Sequence, residues 1–253
     1  MIIKKILFVV LLATSIVSTA QETVEVEYDR YRLFDAEKVK DQKVTINDVD
    51  LNEQQLIKYF QDEMAKAKPY LLVTDKRASI YIDKPILNGT SSMSIFDDTG
   101  NGVYYKDLVS NYYMHESVGF GYDQIIKDSI QKIDWQLTRE KKTILGFEVR
   151  KATAVVNGDR NVIAWYATKI PFSSGPDIFV GLPGLILELE YYFNNEINLR
   201  VKYLAVNIKE LKNNKQIKKP SKGEIVNLET YKSNMKKYWE RMKEMNPEGV
   251  DTN

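Results

Sequence analysis

The chain has 253 residues, with no cysteine, one histidine, and 36 basic against 35 acidic side chains. The lack of cysteine excludes disulfides, thiolate nucleophiles, cysteine-ligated metal centres and a lipid-modified N-terminal cysteine. A formal net charge of +1 is atypical of nucleic-acid-binding proteins, which are usually distinctly basic. The sequence also contains no phosphate-binding loop and no glycine-rich dinucleotide fingerprint, so no cofactor is predicted.

The first twenty residues have the layout of a secretory signal peptide. Two lysines form a positive start, residues 6–17 are a short apolar core, and small residues lead to Ala20. This apolar run is shorter than the roughly 20 residues that span a bilayer. The alternative is an uncleaved anchor, but the small residues favour cleavage after Ala20. We therefore expect an exported protein, periplasmic or associated with the outer membrane, with residues 1–20 as signal peptide and residues 21–253 as a single domain.

Side-chain periodicity predicts the elements of the first half. Residues 23–34 alternate charged and bulky side chains, which is typical of a half-buried strand. Residues 50–68 carry apolar side chains at helical spacing, and Pro69 follows as a stop signal. Further strands are predicted as a hairpin at residues 70–73 and 78–83, and as a pair within residues 102–119.

From residue 133 the pattern becomes a regular meander. Strands are predicted at residues 133–138, 144–156, 160–168, 185–193 and 197–208. Residues 139–142 are predicted to form a charged turn, and Asn157 and Gly158 form a hairpin turn because both tolerate positive φ. Apolar spacing predicts a last helix at residues 228–245. The predicted fold class is α+β, mainly an antiparallel β meander with helices near residues 50–68 and 228–245, and a curved half-barrel is one form open to such a sheet.

His115 is the one imidazole available for acid–base chemistry. Strand alternation places it with Asn111, Tyr113 and Ser117 on the more polar sheet face, which is a structural interpretation. A serine hydrolase would need this histidine together with a G-x-S-x-G elbow, and the sequence has no such motif.

Glu188 and Glu190 lie on one side of a predicted strand, roughly 7 Å apart at the usual rise per residue. Glycosidases use carboxylate pairs at comparable separations. The alternating leucines and glutamates around them are also typical of a strand with one solvated face, so both interpretations stay open.

Asp97, Thr99, Asn101 and Gly102 match the first half of a calcium-binding loop. The match ends at Leu108, which stands where the loop needs a bidentate glutamate. Tight turns have the same composition. No metal site is therefore predicted.

The C-terminal third is rich in lysine. Residues 202–222 carry seven lysines and one acid, Glu210. Lysines at a strand edge discourage pairing with other chains, which is one interpretation. Together with the basic residues of the last helix, this region would alternatively make a peripheral contact with anionic lipid headgroups.

Residues 181–186 read G-L-P-G-L-I. Gly181, Leu182, Pro183 and Gly184 predict a type II turn, because proline presets φ at the second position and Gly184 would supply the positive φ needed next. A core-facing strand follows. Turn and strand chemistry alone explains this string.

The same string resembles the signature of the GLPGLI family, found in exported proteins of Bacteroidetes. Residues 135–152 resemble the family's "W-x-L … T-x-x-I-L-G-Y … K-A" stretch, and residues 164–176 resemble its "A-W-Y … I-P … G-P" run. Two positions depart from it: Val149 stands where members often carry cysteine, and Asp177 where they often carry tryptophan. The resemblance implies an envelope location, a mainly antiparallel β fold, no established activity, and a gene neighbourhood with outer-membrane receptors.

Residues and resemblance together favour a non-enzymatic binding or assembly module of the periplasm or outer membrane. A concave apolar sheet face would take an acyl chain or a peptide, and an outer-membrane receptor component is a further partner class. The predicted lining residues are Trp165, Tyr166, Phe179, Leu182 and Tyr191. These residues would alternatively fill a closed core. The alternative function is a carbohydrate-active envelope hydrolase that uses Glu188 and Glu190.

Overall fold

A computed structural model gives the fold of the protein. The described residues are 23–34, 45–46, 49–50, 52–59, 66–84, 102–117, 124–158, 160–192, 199–212 and 216–245. The predicted signal peptide lies outside them, as do Asp97, Thr99 and Asn101 of the calcium-like loop.

Strands make up most of the described chain. In chain order they are β1 (Thr23–Leu33), β2 (Thr45–Ile46), β3 (Val49–Asp50), β4 (Lys68–Thr74), β5 (Ala78–Asp83), β6 (Tyr104–Asp107), β7 (Tyr112–Ser117), β8 (Gln124–Ser129), β9 (Gln136–Ile144), β10 (Phe147–Val156), β11 (Arg160–Ala167), β12 (Leu185–Tyr192), β13 (Arg200–Leu211) and β14 (Glu224–Val226). The helices are α1 (Glu53–Tyr59) and α2 (Leu228–Met245).

Twelve strands form one open sheet in the order β14-β8-β7-β6-β5-β4-β1-β13-β12-β11-β10-β9, and β2 pairs separately with β3. Every neighbouring pair in the large sheet is antiparallel except β14 and β8, which are parallel. Within the described residues the two edge strands, β14 and β9, do not pair with each other, so the sheet is open, and a curved half-barrel stays a prediction. The predicted class, a mainly antiparallel sheet with helices in the expected places, is confirmed.

The observed bounds of the two helices match the predicted bounds to different degrees. Helix α2 has the predicted bounds of residues 228–245. Helix α1 is shorter than predicted, because Lys68 and Pro69 already belong to β4. The residues between Tyr59 and Lys66 are outside the described set.

One predicted turn is wrong. Residues 139–142 continue strand β9, and the chain turns instead at Leu145 and Gly146, whose φ angles are 48° and 79°. Charged side chains misled the prediction here, because they are also typical of an edge strand that must not pair further. The hairpin turn at Asn157 and Gly158 is confirmed, with φ angles of 55° and 83°. Strands β2, β3, β8 and β14 were not predicted.

The main hydrophobic core lies between the large sheet and residues 168–184, which connect β11 to β12 and are called the covering segment below. Strand β1 turns Val26 and Tyr28 toward this core, and both are fully buried. The covering segment contributes Phe172, Phe179 and Leu182, each at most 2% exposed. A side chain of this size stabilises the fold by roughly 1.5–3 kcal/mol when fully buried, so the segment is an integral part of the core.

Candidate functional site

Lys106 holds the covering segment against the sheet. Strand β6 turns this side chain to the same face as Tyr104, and its exposed fraction is 0%. The Nζ of Lys106 donates hydrogen bonds to the carbonyl oxygens of Gly175, at 2.7 Å, and Asp177, at 2.6 Å. The segment is also held by Trp135, whose Nε1 donates to the carbonyl of Val180 at 2.9 Å.

Burial shifts the pKa values of both charged groups at this tether. Desolvation lowers the pKa of Lys106 to about 7, although the nearby Asp177 carboxylate acts in the opposite direction. Desolvation likewise raises the pKa of Asp177 to about 6, against the lowering effects of Lys106 and Arg30. A buried charge is unfavourable unless its partners replace water, which is why both shifts favour the neutral forms.

Asp177 belongs to a buried cluster of polar and aromatic side chains. Its φ of 53° is unusual for a residue other than glycine. Arg30 is 4% exposed and lies over the Tyr70 ring, with its Cζ 5.1 Å from the ring centroid. Tyr70 stacks on Tyr81 at 5.0 Å between centroids. Period-two alternation in β1 and β6 carries Arg30 and Lys106 inward, and this was the sequence signal available for both residues.

The glycines of the G-L-P-G turn act differently from the prediction. Gly181 has the positive φ, at 96°, whereas Gly184 is not among the described glycines with positive φ. Gly184 is required for another reason: a Cβ placed there would lie 2.3 Å from the carbonyl oxygen of Ala167. The covering segment therefore returns to the sheet through a close backbone approach that only glycine permits.

The five predicted lining residues lie in or beside the core. Tyr166, Phe179, Leu182 and Tyr191 are at most 2% exposed and belong to the main core cluster. Trp165 points to the other face of β11, where it is half-buried and the Lys142 Nζ lies 4.2 Å from its ring centroid. The structure thus brings four of them together in the core between the sheet and the covering segment. Direct contact between these side chains and a ligand stays a prediction.

A groove of about 470 Å³ opens on the outer side of the covering segment. It is bounded by the end of β8 and the linker to β9, by the β10–β11 turn, by Ile178 of the covering segment, and by the start of α2. Its aliphatic lining residues are Ile130, Ile133, Val155, Val156, Ile178 and Leu228. The tethered Lys106 also lines it, so the same lysine fixes one wall of the groove. Sequence reasoning missed this groove, because its walls come from five separate parts of the chain.

His115 is buried rather than on a polar surface. It is 8% exposed, and its ring stacks on Tyr104 with 3.8 Å between ring centroids. Burial lowers the pKa of His115 to about 4, and its Nε2 has no hydrogen-bond partner among the described residues. The prediction gave only the sheet face that His115 shares with Tyr113, and the structure shows that this face is covered at His115. Tyr104 on the neighbouring strand covers it.

The two strand glutamates are neutralised by basic neighbours. Both carboxylate oxygens of Glu188 contact lysines, Lys142 at 2.6 Å and Lys202 at 3.3 Å. Glu190 contacts Arg200 at 3.4 Å. Their side chains are only 11% and 18% exposed. Each carboxylate thus serves as a cross-strand ion-pair partner, and no contact of the described residues favours their use in hydrolysis.

Among the described residues, no group of three or more histidine, aspartate or glutamate side chains is placed to hold a metal ion. No helix in this part is both long and apolar enough to cross a membrane.

A family model matches a short part of the chain. The model of a family described as "Protein of unknown function (Porph_ging)" matches residues 155–188, which include β11, the covering segment and half of β12. No curated protein matches the chain.

Among solved structures, the fold is similar to that of PNGF-II in its C2 crystal form, with 17% identity and a TM-score of 0.55 over 86% of this chain and 33% of that chain. The P21 form of PNGF-II gives 17% identity, a TM-score of 0.53, and 86% and 34% coverage. This chain thus spans about a third of the length of PNGF-II. A LolA superfamily protein, NE2245 from Nitrosomonas europaea, is more distant, with 8% identity, a TM-score of 0.32, and 79% and 91% coverage. At these identities the similarity to PNGF-II shows the fold alone.

Proposed function

We propose that the protein is an exported component of the cell envelope that acts as a non-enzymatic binding or assembly module. In this proposal the signal peptide is removed after Ala20, and residues 21–253 form one domain of the GLPGLI type in the periplasm or at the outer membrane. The G-L-P-G-L-I string at residues 181–186 and the match to a family of unknown function over residues 155–188 support it.

The groove beside the covering segment is the observation that carries the binding function. Its volume of about 470 Å³ falls within the range of small-molecule sites, roughly 300–1,000 Å³. Six of its fourteen lining residues are aliphatic, and Lys106 fixes the wall that carries Ile178. A groove with aliphatic side chains on several walls, one of them fixed, is suited to hold the apolar part of a ligand without reorganisation.

The predicted aromatic lining has a supporting part in this proposal. Phe179 is the chain neighbour of Ile178, and its burial against Tyr191 anchors the wall of the groove from within. The ring centroids of Phe179 and Tyr191 are 5.7 Å apart. Tyr166 and Leu182 act with them, while Trp165 lies on the opposite face. A ligand would touch the four buried side chains directly only if the covering segment left the sheet.

The partners in this proposal are a lipid, a peptide or a component of an outer-membrane receptor. The lysine-rich C-terminal region would make a peripheral contact with the membrane. Helix α2 supports this contact, because none of its side chains whose exposure is described is buried and several are basic. Its exposed basic residues are Lys232, Lys236, Lys237 and Arg241.

Native mass spectrometry of the protein purified from its own envelope tests the binding function. We expect a co-purified lipid or peptide on the wild-type protein. Ile178→Trp should displace this ligand by filling the groove. Val206→Trp is the matched control, because Val206 is 41% exposed on β13 and is not part of the groove lining, so it should keep the ligand. An empty wild-type protein, or equal ligand content in both variants, would contradict the proposal.

A further inference from the structure

We propose that the groove binds a single-chain lipid with an anionic headgroup, with the chain against the aliphatic walls and the headgroup between Lys132 and Lys232. This inference rests on the proposed binding function and names its ligand class. Three features of the groove lead to it: the chemistry of the walls, the balance of charge at the rim, and the geometry at the start of α2.

The walls of the groove suit an alkyl chain. Ile130, Ile133, Val156, Ile178 and Leu228 are all aliphatic, and Tyr113 is the one aromatic residue among the lining residues. Sugar and nucleobase sites instead stack their ligands on aromatic side chains, which are scarce here. Since an alkyl chain needs only apolar contact, the walls favour it over a ring that must be stacked.

Basic side chains outnumber acidic side chains in the lining of the groove. Lys106, Lys132 and Lys232 line it, and Asp128 is the one acid among the lining residues. The carboxylate of Asp128 is already engaged: Oδ1 accepts from the backbone N–H of Ser129 at 2.7 Å, and Oδ2 from that of Leu228 at 3.2 Å. It therefore compensates the positive N-terminal end of α2 and not the rim lysines.

The rim lysines differ in how far they are already paired. Lys106 donates to two carbonyls and is committed to the covering segment. Lys132 contacts Asp134 at 2.9 Å, but both side chains are more than 80% exposed, so this pair is weak and exchangeable. Lys232 is exposed and forms no ion pair with the described residues. Two exposed cations, Lys132 and Lys232, thus lie at the rim.

Helix α2 sets an apolar and a cationic group side by side. Leu228 and Lys232 are four residues apart, so they lie on one face of the helix, a turn from each other. Leu228 is half-buried at the wall, and Lys232 is exposed at the rim. A ligand with an apolar chain joined to an anion would place the chain against Leu228 at the wall and the anion beside Lys232 at the rim.

Isothermal titration calorimetry with three probes below their micelle-forming concentrations tests the inference. The probes are lysophosphatidylglycerol, lysophosphatidylcholine and glycerol 3-phosphate. We expect lysophosphatidylglycerol to bind about tenfold more tightly than lysophosphatidylcholine, the size of effect that two exposed ionic contacts produce. Glycerol 3-phosphate should bind at least about a hundredfold more weakly, because each buried methylene strengthens binding about fourfold.

Matched charge variants complete the test. The double variant Lys132→Gln/Lys232→Gln should reduce the affinity for lysophosphatidylglycerol to that for lysophosphatidylcholine. Lys212→Gln/Lys222→Gln removes the same charge from exposed positions that are not part of the groove lining, and it should leave both affinities unchanged.

The outcomes separate this inference from the proposed function. Equal affinity of the wild-type protein for the two lysolipids would overturn the anionic headgroup while leaving the binding function in place. Equal affinity for glycerol 3-phosphate and lysophosphatidylglycerol would assign the site to a free phosphate ester and overturn the lipid. Equal weakening by the two double variants would place the charge effect outside the groove and overturn the headgroup site. Failure of every probe, together with an empty protein in native mass spectrometry, would overturn the binding function itself.

Discussion

Replacing Lys106 by methionine removes the tether between β6 and the covering segment while keeping nearly the same side-chain volume. The carbonyls of Gly175 and Asp177 would each lose a buried donor. An unsatisfied buried group costs roughly 1–3 kcal/mol, so the two together destabilise the fold by about 2–6 kcal/mol. Methionine also removes the desolvation of a buried amine, which partly offsets this loss.

The stability difference between wild type and Lys106→Met depends on pH, and this dependence reports directly on Lys106. Its pKa is about 7 in the folded protein and near 10.5 in the unfolded chain. Between these values the unfolded chain binds more protons, so stability rises as the pH rises and is lost as the pH falls toward 7. A group that is protonated in the unfolded chain and neutral in the folded protein changes the unfolding free energy by about 1.4 kcal/mol per pH unit. Since the folded-state group is half-protonated near pH 7, the gain from pH 7 to pH 9 is about 2 kcal/mol.

Urea denaturation of wild type and Lys106→Met at pH 7, 8 and 9, followed by intrinsic fluorescence, measures the effect. We expect the stability difference between the two proteins to grow by about 2 kcal/mol over this range. Buried tyrosines and other groups also titrate at alkaline pH, but they are common to both proteins and cancel in the difference. Lys76→Met removes an exposed lysine and should show no such growth. A difference that stays constant from pH 7 to pH 9 would refute the neutral buried amine.

Three further predictions address other parts of the structure. Gly184→Ala should destabilise the protein by about 1–3 kcal/mol or more in thermal denaturation, since its Cβ would meet the carbonyl of Ala167. An unchanged melting temperature would contradict the close approach. Asp177 has a folded pKa raised to about 6, so its own contribution to stability falls as the pH rises from 4 to 6. Asp177→Asn removes this contribution, so the stability difference between wild type and variant should change by about 2 kcal/mol over this range in urea denaturation, and a difference that stays constant would argue against the raised pKa. Glu188→Gln should lower the unfolding free energy by about 1–3 kcal/mol, because two lysines lose a partly buried partner, and an unchanged urea midpoint would show that the pair is solvated.

The local pattern predicted most of the elements correctly. The period of two in β1 identified its core face, and helical spacing gave the bounds of α2. These signals succeed because each element presents one face to the core, and that face repeats along a short stretch of sequence. The misplaced turn at residues 139–142 has the opposite cause. A charged run describes equally a turn and a solvated edge strand, and only the φ values at Leu145 and Gly146 decide between them.

The functional geometry could not be predicted in the same way. Lys106 is buried because two carbonyls 69 and 71 residues further along the chain meet it, and no local pattern encodes such a meeting. The strand pattern places Lys106 on the core face. Lysine is rarely buried without partners, so the pattern alone argues against this placement until the two acceptor carbonyls are known. Gly184 gives a similar case. The turn motif was visible, but the reason for the glycine lies in the backbone of Ala167 on another strand.

The tether and the groove are parts of one structure, and this leads to a last prediction. Lys106 holds Asp177, and Ile178 beside it forms a wall of the groove. Loss of the tether should let this wall move, so Lys106→Met should weaken lysophosphatidylglycerol binding although Lys106 does not pair with the headgroup. By linkage, a ligand at 100 times its Kd should stabilise the wild-type protein by about 2.7 kcal/mol, and the variant by less at the same concentration.

The variant Lys132→Gln/Lys232→Gln separates the tether from the rim charges. It should also lose part of the ligand-induced stabilisation, but its unfolding free energy without ligand should equal that of wild type, because neither lysine is buried. Lys106→Met should instead change both quantities, and calorimetry with urea denaturation measures the two on the same samples. If Lys106→Met lowered stability while leaving the lysolipid affinity intact, the covering segment would hold the core without shaping the groove, and the link drawn here between the two would be wrong.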